Sequence, residues 1–180
     1  PARQKSTRIN DISVQVGRTG VLSPVAILEP VNIHGVVVSR AALHNQEEID
    51  RKDVRIGDWV LVQRAGDVIP EVVSVLLEKR TGKERKFHIP SRCPSCHTET
   101  VKLGDEVAIR CPNEECPAQN LESLEHFVSK GAMNIVGLGP RILEQLVQAG
   151  LVRRPSDLYL LRAEDLLALE GFQERSAEKL

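Results

Sequence analysis

Four cysteines lie within one short stretch of the sequence, and the chain contains no others. They are arranged as C-x2-C, a spacer of fourteen residues and C-x4-C, at Cys93, Cys96, Cys111 and Cys116. Two short cysteine pairs at this separation can direct four thiolates at one metal ion, which is typical of a tetrahedral zinc site. Because such a site has no open coordination position, we expect one structural Zn²⁺ that stabilises the fold and does not catalyse.

The sequence alone leaves other roles possible for these cysteines. The run from Cys93 to His97 reads C-x-x-C-H, the attachment motif of a covalently bound haem, but that interpretation leaves Cys111 and Cys116 without a role. Two disulfides would suit a small secreted domain, whereas the rest of this chain has enough apolar residues for its own core. His97 is an alternative ligand or a polar neighbour of the site.

Composition limits the compartment and the partners. The 180 residues have room for one to three small domains, with no apolar run that could span a membrane. Zinc-binding thiolates favour a reducing compartment, so we expect a cytoplasmic protein. With a net charge of −1, nucleic-acid binding must rest on local patches or backbone amides. Aromatic residues, at 3%, are too few for stacking single-stranded bases, which favours a duplex.

Residues 10–90 have the pattern of a small β-barrel. Short apolar runs, the first alternating over residues 11–17, predict several strands. Residues 39–53 switch to a helical period, and residues 65–67 form a predicted turn. One helix after the third strand favours a five-stranded OB-fold barrel, with an SH3-like barrel as the alternative. Residues 78–92 are rich in lysine and arginine and, taken alone, indicate a solvated linker.

Residues 91–120 form the predicted zinc module, in which apolar residues on both sides of Gly104 predict a small hairpin. Residues 121–180 become helical. There Gly137-Leu138-Gly139 joins two predicted helices, and Gly171 repeats the motif 34 residues later with Gln173 in place of its second glycine. Glycines before a helix start let backbone amides bind a phosphate, as in helix-hairpin-helix motifs. The alternative is a plain helical hairpin with a glycine at a tight corner.

Several strings resemble the NAD-dependent DNA ligases of bacteria. In the barrel these strings are Val16-Gly17-Arg18-Thr19-Gly20, Pro24-Val25-Ala26, Ser39-Arg40-Ala41-Ala42-Leu43-His44-Asn45 and Arg64-Ala65-Gly66-Asp67-Val68-Ile69-Pro70. Further along they are Cys116-Pro117-Ala118-Gln119, Phe127-Val128-Ser129 and the run over residues 135–151. The resemblance covers essentially the whole chain and implies an OB-fold domain, a four-cysteine zinc finger and an incomplete helix-hairpin-helix domain.

The resemblance also implies a function. Ligases of this family transfer AMP from NAD to a lysine and then to the 5′-phosphate of a nick, with the help of Mg²⁺. The implied partner is nicked double-stranded DNA, bound by a nucleoid-associated monomer. The implied DNA contacts are Arg18 above all, then Thr19, Arg40, Arg64, Lys130, Gly137, Gly139 and Gly171. His44 and Asn45 are expected to cap a helix.

The nucleophile of the family is a lysine in a K-x-D-G motif, and this sequence contains no such motif. Residues 1–9 resemble the tail of the adenylation domain that carries it. We therefore interpret the chain as a middle segment of a ligase that is not catalytic alone and binds neither NAD nor Mg²⁺. A zinc-stabilised structural or protein-contact module is the alternative.

Overall fold

The computed structural model describes residues 3–64 and 69–180, so the predicted turn at residues 65–67 lies outside the described residues. The chain divides into two compact units, residues 1–112 and residues 113–180. Along the first unit the elements are β1 (Arg3–Val16), β2 (Leu22–Ile33), β3 (Val36–Ala42), α1 (Gln46–Lys52), β4 (Arg55–Ile56), β5 (Trp59–Arg64), β6 (Glu71–Val75), a 3-10 turn (Leu77–Lys79), β7 (Arg85–Lys86), β8 (Val101–Lys102) and β9 (Ile109–Arg110).

Five of these strands close into a barrel in the order β1-β2-β3-β6-β5. Neighbouring strands are antiparallel except at the closure, where Ala42 of β3 pairs in parallel with Glu71 of β6. In β2 alternate side chains from Leu22 to Leu28 point inward, because the side chains of a strand alternate between its two faces. The closed five-stranded barrel with a helix after its third strand confirms the predicted OB-fold domain.

The barrel begins earlier than predicted. Strand β1 starts at Arg3 and pairs with β5 from Arg3 to Arg8, and the Ile9 side chain is fully buried in the core. The predicted boundary at residue 10 therefore falls inside the first barrel strand. The sequence pattern missed the start of this strand because its side chains are polar and do not alternate with apolar ones. Thr7, for example, is buried, and its hydroxyl donates to the carbonyl oxygen of Glu29.

Helix α1 is capped by a side chain at its start and by the backbone at its end. The side-chain oxygen of Asn45 accepts a hydrogen bond from the Glu48 amide at 2.8 Å, which confirms the predicted cap. Asp53 ends the helix with φ 47, and Ile49 buries its side chain in the barrel core. His44, just before the helix, lies 3.3 Å from the Glu71 carboxylate.

The second unit contains α2 (Pro117–Val128), α3 (Pro140–Gln148), a 3-10 helix (Pro155–Leu160), α4 (Ala163–Leu167) and α5 (Glu174–Lys179). A proline occupies the first turn of α2 and of α3, where its missing amide hydrogen costs no helical hydrogen bond. The core of the unit is built on Leu124, Leu143, Leu146 and Val152, all fully buried. Among the described helices, none has the length and apolar character needed to cross a membrane.

Candidate metal centre and nucleic-acid interface

The four cysteine sulfurs converge on one point. The Sγ atoms of Cys93, Cys96, Cys111 and Cys116 all lie within 4.8 Å of one another, and those of Cys96 and Cys111 are 3.5 Å apart. In a tetrahedral site with Zn–S bonds of about 2.3 Å, two sulfurs are separated by about 3.8 Å. Three of the cysteines are buried and Cys96 is half-buried. The donor set, its spacing and its burial therefore fit one Zn²⁺ held by four thiolates.

Local hydrogen bonds shape the first cysteine pair. The amide of His97 donates to the carbonyl oxygen of Cys93 at 2.9 Å, and the amide of Cys93 donates to the carbonyl oxygen of Thr98 at the same distance. His97 has φ 59 and an exposed side chain, so it acts here as a turn residue. The hydroxyl of Thr98 lies 3.3 Å from the Cys96 sulfur, within reach of a hydrogen bond that orients the ligand.

The spacer and the second pair follow the sequence expectation. Strands β8 and β9 pair antiparallel and form the predicted hairpin. Cys116 is the N-cap residue of α2, and its amide donates to the carbonyl oxygen of Asn113 at 3.1 Å. All four sulfurs therefore belong to one cluster, which leaves no isolated C-x-x-C-H pair for covalent haem attachment.

The strongest predicted DNA contact lies at the tip of a tight turn. Between β1 and β2, the amide of Gly20 donates to the carbonyl oxygen of Gly17 at 2.9 Å, so Arg18 and Thr19 occupy the two central positions of a β-turn. Both side chains are exposed, whereas Gly20 is buried with φ 78. The turn therefore presents a guanidinium and a hydroxyl at one end of the barrel.

Arg40 and Arg64 lie beside a shallow depression of about 340 Å³ on the barrel surface. Arg40 is exposed on β3, and Arg64 ends β5. Two apolar side chains also line the depression and are largely exposed, Val37 at 65% and Ile69 at 73%. The structure thus brings these two predicted contacts together on a surface that is both basic and apolar.

In the second unit the two glycine motifs line one cleft of about 680 Å³. Gly137 has φ 104, Gly139 is the N-cap residue of α3, and Gly171 has φ 89. Leu138, between the first two glycines, is buried. Lys130 is exposed just after α2. The cleft therefore collects the predicted glycines, including the start of a nine-residue helix.

Sequence patterns gave no indication of the role of Arg80. Its Nε and Nη2 donate to the carboxylate of fully buried Asp58 at 2.8 and 2.9 Å, and its Nη1 donates to Asp53 at 2.7 Å. The amide of Arg55 supplies a third hydrogen bond to Asp58, at 2.8 Å. Arg80 therefore fixes the segment after β6 to the barrel, although it lies within the stretch of predicted linker.

Hydrogen bonds in this region shift the pKa values of Asp53, Arg80 and Glu84. Hydrogen bonds from Arg80 and then from Arg55 lower the pKa of Asp53 to about 2, and the pKa of Arg80 is raised, chiefly by its hydrogen bond to Asp58. Amide donation from Thr81 is the largest cause that lowers the pKa of Glu84 to about 2. Both carboxylates are therefore charged at neutral pH, which offsets part of the positive charge of residues 78–92.

Comparison with known proteins agrees with this geometry. Residues 6–84 match the NAD-dependent DNA ligase OB-fold domain, and residues 92–118 match the NAD-dependent DNA ligase C4 zinc finger domain. The chain is 54% identical over all 180 residues to proteins named DNA ligase from Bacillus cereus (strain AH187), Bacillus pumilus (strain SAFR-032) and Bacillus mycoides (strain KBAB4). It spans 27% of the length of each of these relatives. The chain is therefore a fragment of an NAD-dependent DNA ligase and contains the OB-fold and C4 zinc finger domains of that family.

Proposed function

We propose that this chain is the DNA-binding segment of an NAD-dependent DNA ligase that seals nicks in duplex DNA. The observation that carries the proposal is the exposed Arg18-Thr19 turn, on a barrel that matches the OB-fold domain of these ligases. A guanidinium offers a planar fork of donors that suits phosphate oxygens. On this proposal, Arg18 contacts the sugar-phosphate backbone next to the nick.

In the proposed reaction the parent enzyme transfers AMP from NAD to a lysine, and then to the 5′-phosphate at the nick. The 3′-hydroxyl attacks that adenylated phosphate, and Mg²⁺ assists. The described residues contribute binding and alignment, which can supply several kcal/mol of rate acceleration when reactants are held in register. Since the sequence has no K-x-D-G lysine, we propose that the segment is not catalytic alone and that its Zn²⁺ takes no part in the chemistry.

The barrel offers further contacts to the duplex. Arg40 and Arg64 border a depression that also exposes Val37 and Ile69. Cationic side chains beside exposed apolar ones suit the minor groove, where proteins pair phosphate contacts with apolar contacts to the bases. We propose that this surface and the Arg18-Thr19 turn bind the same nicked duplex as a monomer.

We propose that the second unit is part of a helix-hairpin-helix domain. Gly137 has a backbone conformation that favours glycine, and Gly139 leads into α3, whose first amides have no helical acceptor. Such amides and the positive end of the helix dipole stabilise a phosphate without a cationic side chain. Gly171 repeats the conformation, although α5 after Gln173 is only six residues long. Exposed Lys130 adds a positive charge to this unit.

A structural or protein-contact module is the second candidate. The high exposure of Val37 and Ile69 favours it, since contiguous exposed apolar side chains also mark protein interfaces. The two candidates differ in their response to salt. Binding of DNA through phosphates weakens steeply as salt concentration rises, whereas an apolar protein interface does not.

The test compares Arg18→Ala with Arg51→Ala. Arg51 is an exposed arginine on α1 of the same unit that pairs with Glu48, so its loss changes the net charge equally. We expect Arg18→Ala to weaken binding to a fluorescent nicked duplex and to reduce the salt slope by about one. Equal binding by the two variants would contradict the assignment of Arg18. Incubation with NAD labelled in its adenylate should leave the chain unlabelled, and labelling would refute the non-catalytic role.

A further inference from the structure

The hairpin of β8 and β9, which leads into Cys111 and is called the zinc hairpin below, contacts the turn that carries Arg18. We propose that Arg110 and Cys111 position this turn, so that the metal centre controls the placement of Arg18 and Thr19. The inference rests on the proposed role of that turn in DNA binding. It assigns to Arg110 a positioning role and to the metal centre a purpose beyond stabilising its own hairpin.

The first link is made by the backbone. The amide of Cys111 donates to the carbonyl oxygen of Gly20 at 2.9 Å. One residue earlier, Arg110 forms an antiparallel bridge with Val21. Strand β9 therefore runs beside the exit of the turn. Because Cys111 is also one of the four clustered sulfur donors, a metal bound there restrains the same residue whose amide holds Gly20.

The second link is made by the side chain of Arg110. Its Nη1 lies 3.4 Å from both the carbonyl oxygen and the hydroxyl of Thr19. Its Nε and Nη2 donate to one carboxylate oxygen of Glu106 at 3.1 and 3.0 Å. The Arg110 side chain is 27% exposed, so the carboxylate orients a partly sheltered guanidinium toward the turn. A planar fork can serve both partners at once, whereas the single ammonium of lysine has no such fixed geometry.

These links act on the residues that would meet DNA. Arg18 and Thr19 are exposed. Their turn is held by backbone hydrogen bonds from the Gly20 amide to the carbonyl oxygen of Gly17 and from the Gly17 amide to that of Val21, both at 2.9 Å. A loop that is already held in its binding conformation loses less conformational entropy on binding. The contacts from Arg110 and Cys111 supply that restraint from the side of the turn that faces the zinc hairpin.

The experiment uses Arg110→Ala, with Lys102→Ala as the matched control. Lys102 lies on β8 of the same hairpin, carries the same charge and is exposed, and it contacts Glu47 and not the turn. Nitrogen-15 relaxation measures the backbone order of residues 18–20 without DNA, and anisotropy measures the affinity for a nicked duplex. We expect Arg110→Ala to lower the order of the turn and to weaken binding about five- to tenfold. Lys102→Ala should leave the order of the turn unchanged and weaken binding less.

A double-mutant cycle separates positioning from simple loss of charge. If Arg110 acts through Arg18, then Arg18→Ala will cost less affinity in the Arg110→Ala background than in the unchanged chain. Additive losses, or equal losses from Arg110→Ala and Lys102→Ala, would overturn the proposal. Unchanged order of the turn in Arg110→Ala would overturn it as well.

Two further controls keep the outcome clear. Zinc content and Trp59 fluorescence show whether each variant is folded. Glu106→Gln keeps Arg110 and removes only its charged acceptor, so it should loosen the turn even if Arg110→Ala does not fold. If the unchanged chain binds no duplex, the proposed DNA contact fails, whereas the relaxation measurements without DNA still test whether the hairpin positions the turn.

Discussion

Removal of the Arg80 guanidinium is expected to destabilise the barrel severely. In Arg80→Ala the carboxylate of Asp58 would remain fully buried after losing two of its three hydrogen bonds. Removing one partner of a buried ion pair costs about 3–5 kcal/mol, because a charge is left without compensation. Asp53 adds little, since its side chain is 46% exposed and exposed pairs contribute about 0–1 kcal/mol. We therefore expect a loss of about 3–5 kcal/mol, a large part of the stability of a small domain.

Urea unfolding followed by the fluorescence of Trp59 measures this loss. Trp59 is the only tryptophan of the sequence and lies in β5, so its signal reports on the barrel. Lys79→Ala is the matched control, because Lys79 is next to Arg80 and its ammonium lies 4.4 Å from the centre of the Trp59 ring. That contact contributes about 0.5–1 kcal/mol at an exposed site. If Arg80→Ala lost no more stability than Lys79→Ala, the structural role of Arg80 would be refuted.

Acid unfolding gives a second readout of the same network. The folded-state pKa of Asp53 is about 2, below its ordinary value of 3.8, so its charged form stabilises the fold. That contribution is complete above about pH 4 and is lost as the pH falls through about 2. Arg80→Ala should begin acid unfolding at a higher pH than Lys79→Ala, because it starts with less stability at neutral pH. The part of the acid dependence that comes from Asp53 should be smaller in Arg80→Ala, since Arg80 is the largest cause of the lowered pKa.

Three further predictions concern other parts of the chain. Ile9→Ala should cost about 2–5 kcal/mol in the same urea assay, because the side chain is fully buried; a loss below about 1 kcal/mol would place Ile9 outside the core. Gly137→Ala should lower the melting temperature of the helical unit, at a cost of about 1–2 kcal/mol, because Gly137 has φ 104 and an added Cβ would lie 2.8 Å from Leu180. Gly139→Ala is its control, with open space around the added atom, and equal melting temperatures would contradict the strain at Gly137. Cys111→Ser should lower zinc content measured by mass spectrometry, and full zinc occupancy would exclude Cys111 as a ligand.

The sequence predicted those features that depend on local signals. Cysteine spacing predicted the metal centre. The helical period over residues 39–53 predicted a helix but placed its start too early, because β3 continues to Ala42 and α1 begins at Gln46. The barrel and its inserted helix followed from apolar periodicity and one change of period. These signals act over a few neighbouring residues, so they can be recognised in the sequence without knowledge of the fold.

The missed features depend on contacts between distant residues. The first half of β1 is polar, and its identity as a strand comes from pairing with β5, which lies far along the chain. Arg80 reaches Asp53 and Asp58 across 27 and 22 residues, so nothing in its neighbourhood distinguishes it from the lysines and arginines around it. The contact between Arg110 and Thr19 joins residues 91 positions apart. Only the folded barrel brings such pairs together.

We propose that a zinc-stabilised segment binds nicked duplex DNA through the Arg18 turn. Zinc content and affinity for a fluorescent nicked duplex, measured on one preparation over a salt series, test it most directly. We predict one Zn²⁺ per chain and binding that weakens linearly in log-log form as salt rises. A folded chain with one bound Zn²⁺ and no detectable binding at low salt would contradict the claim.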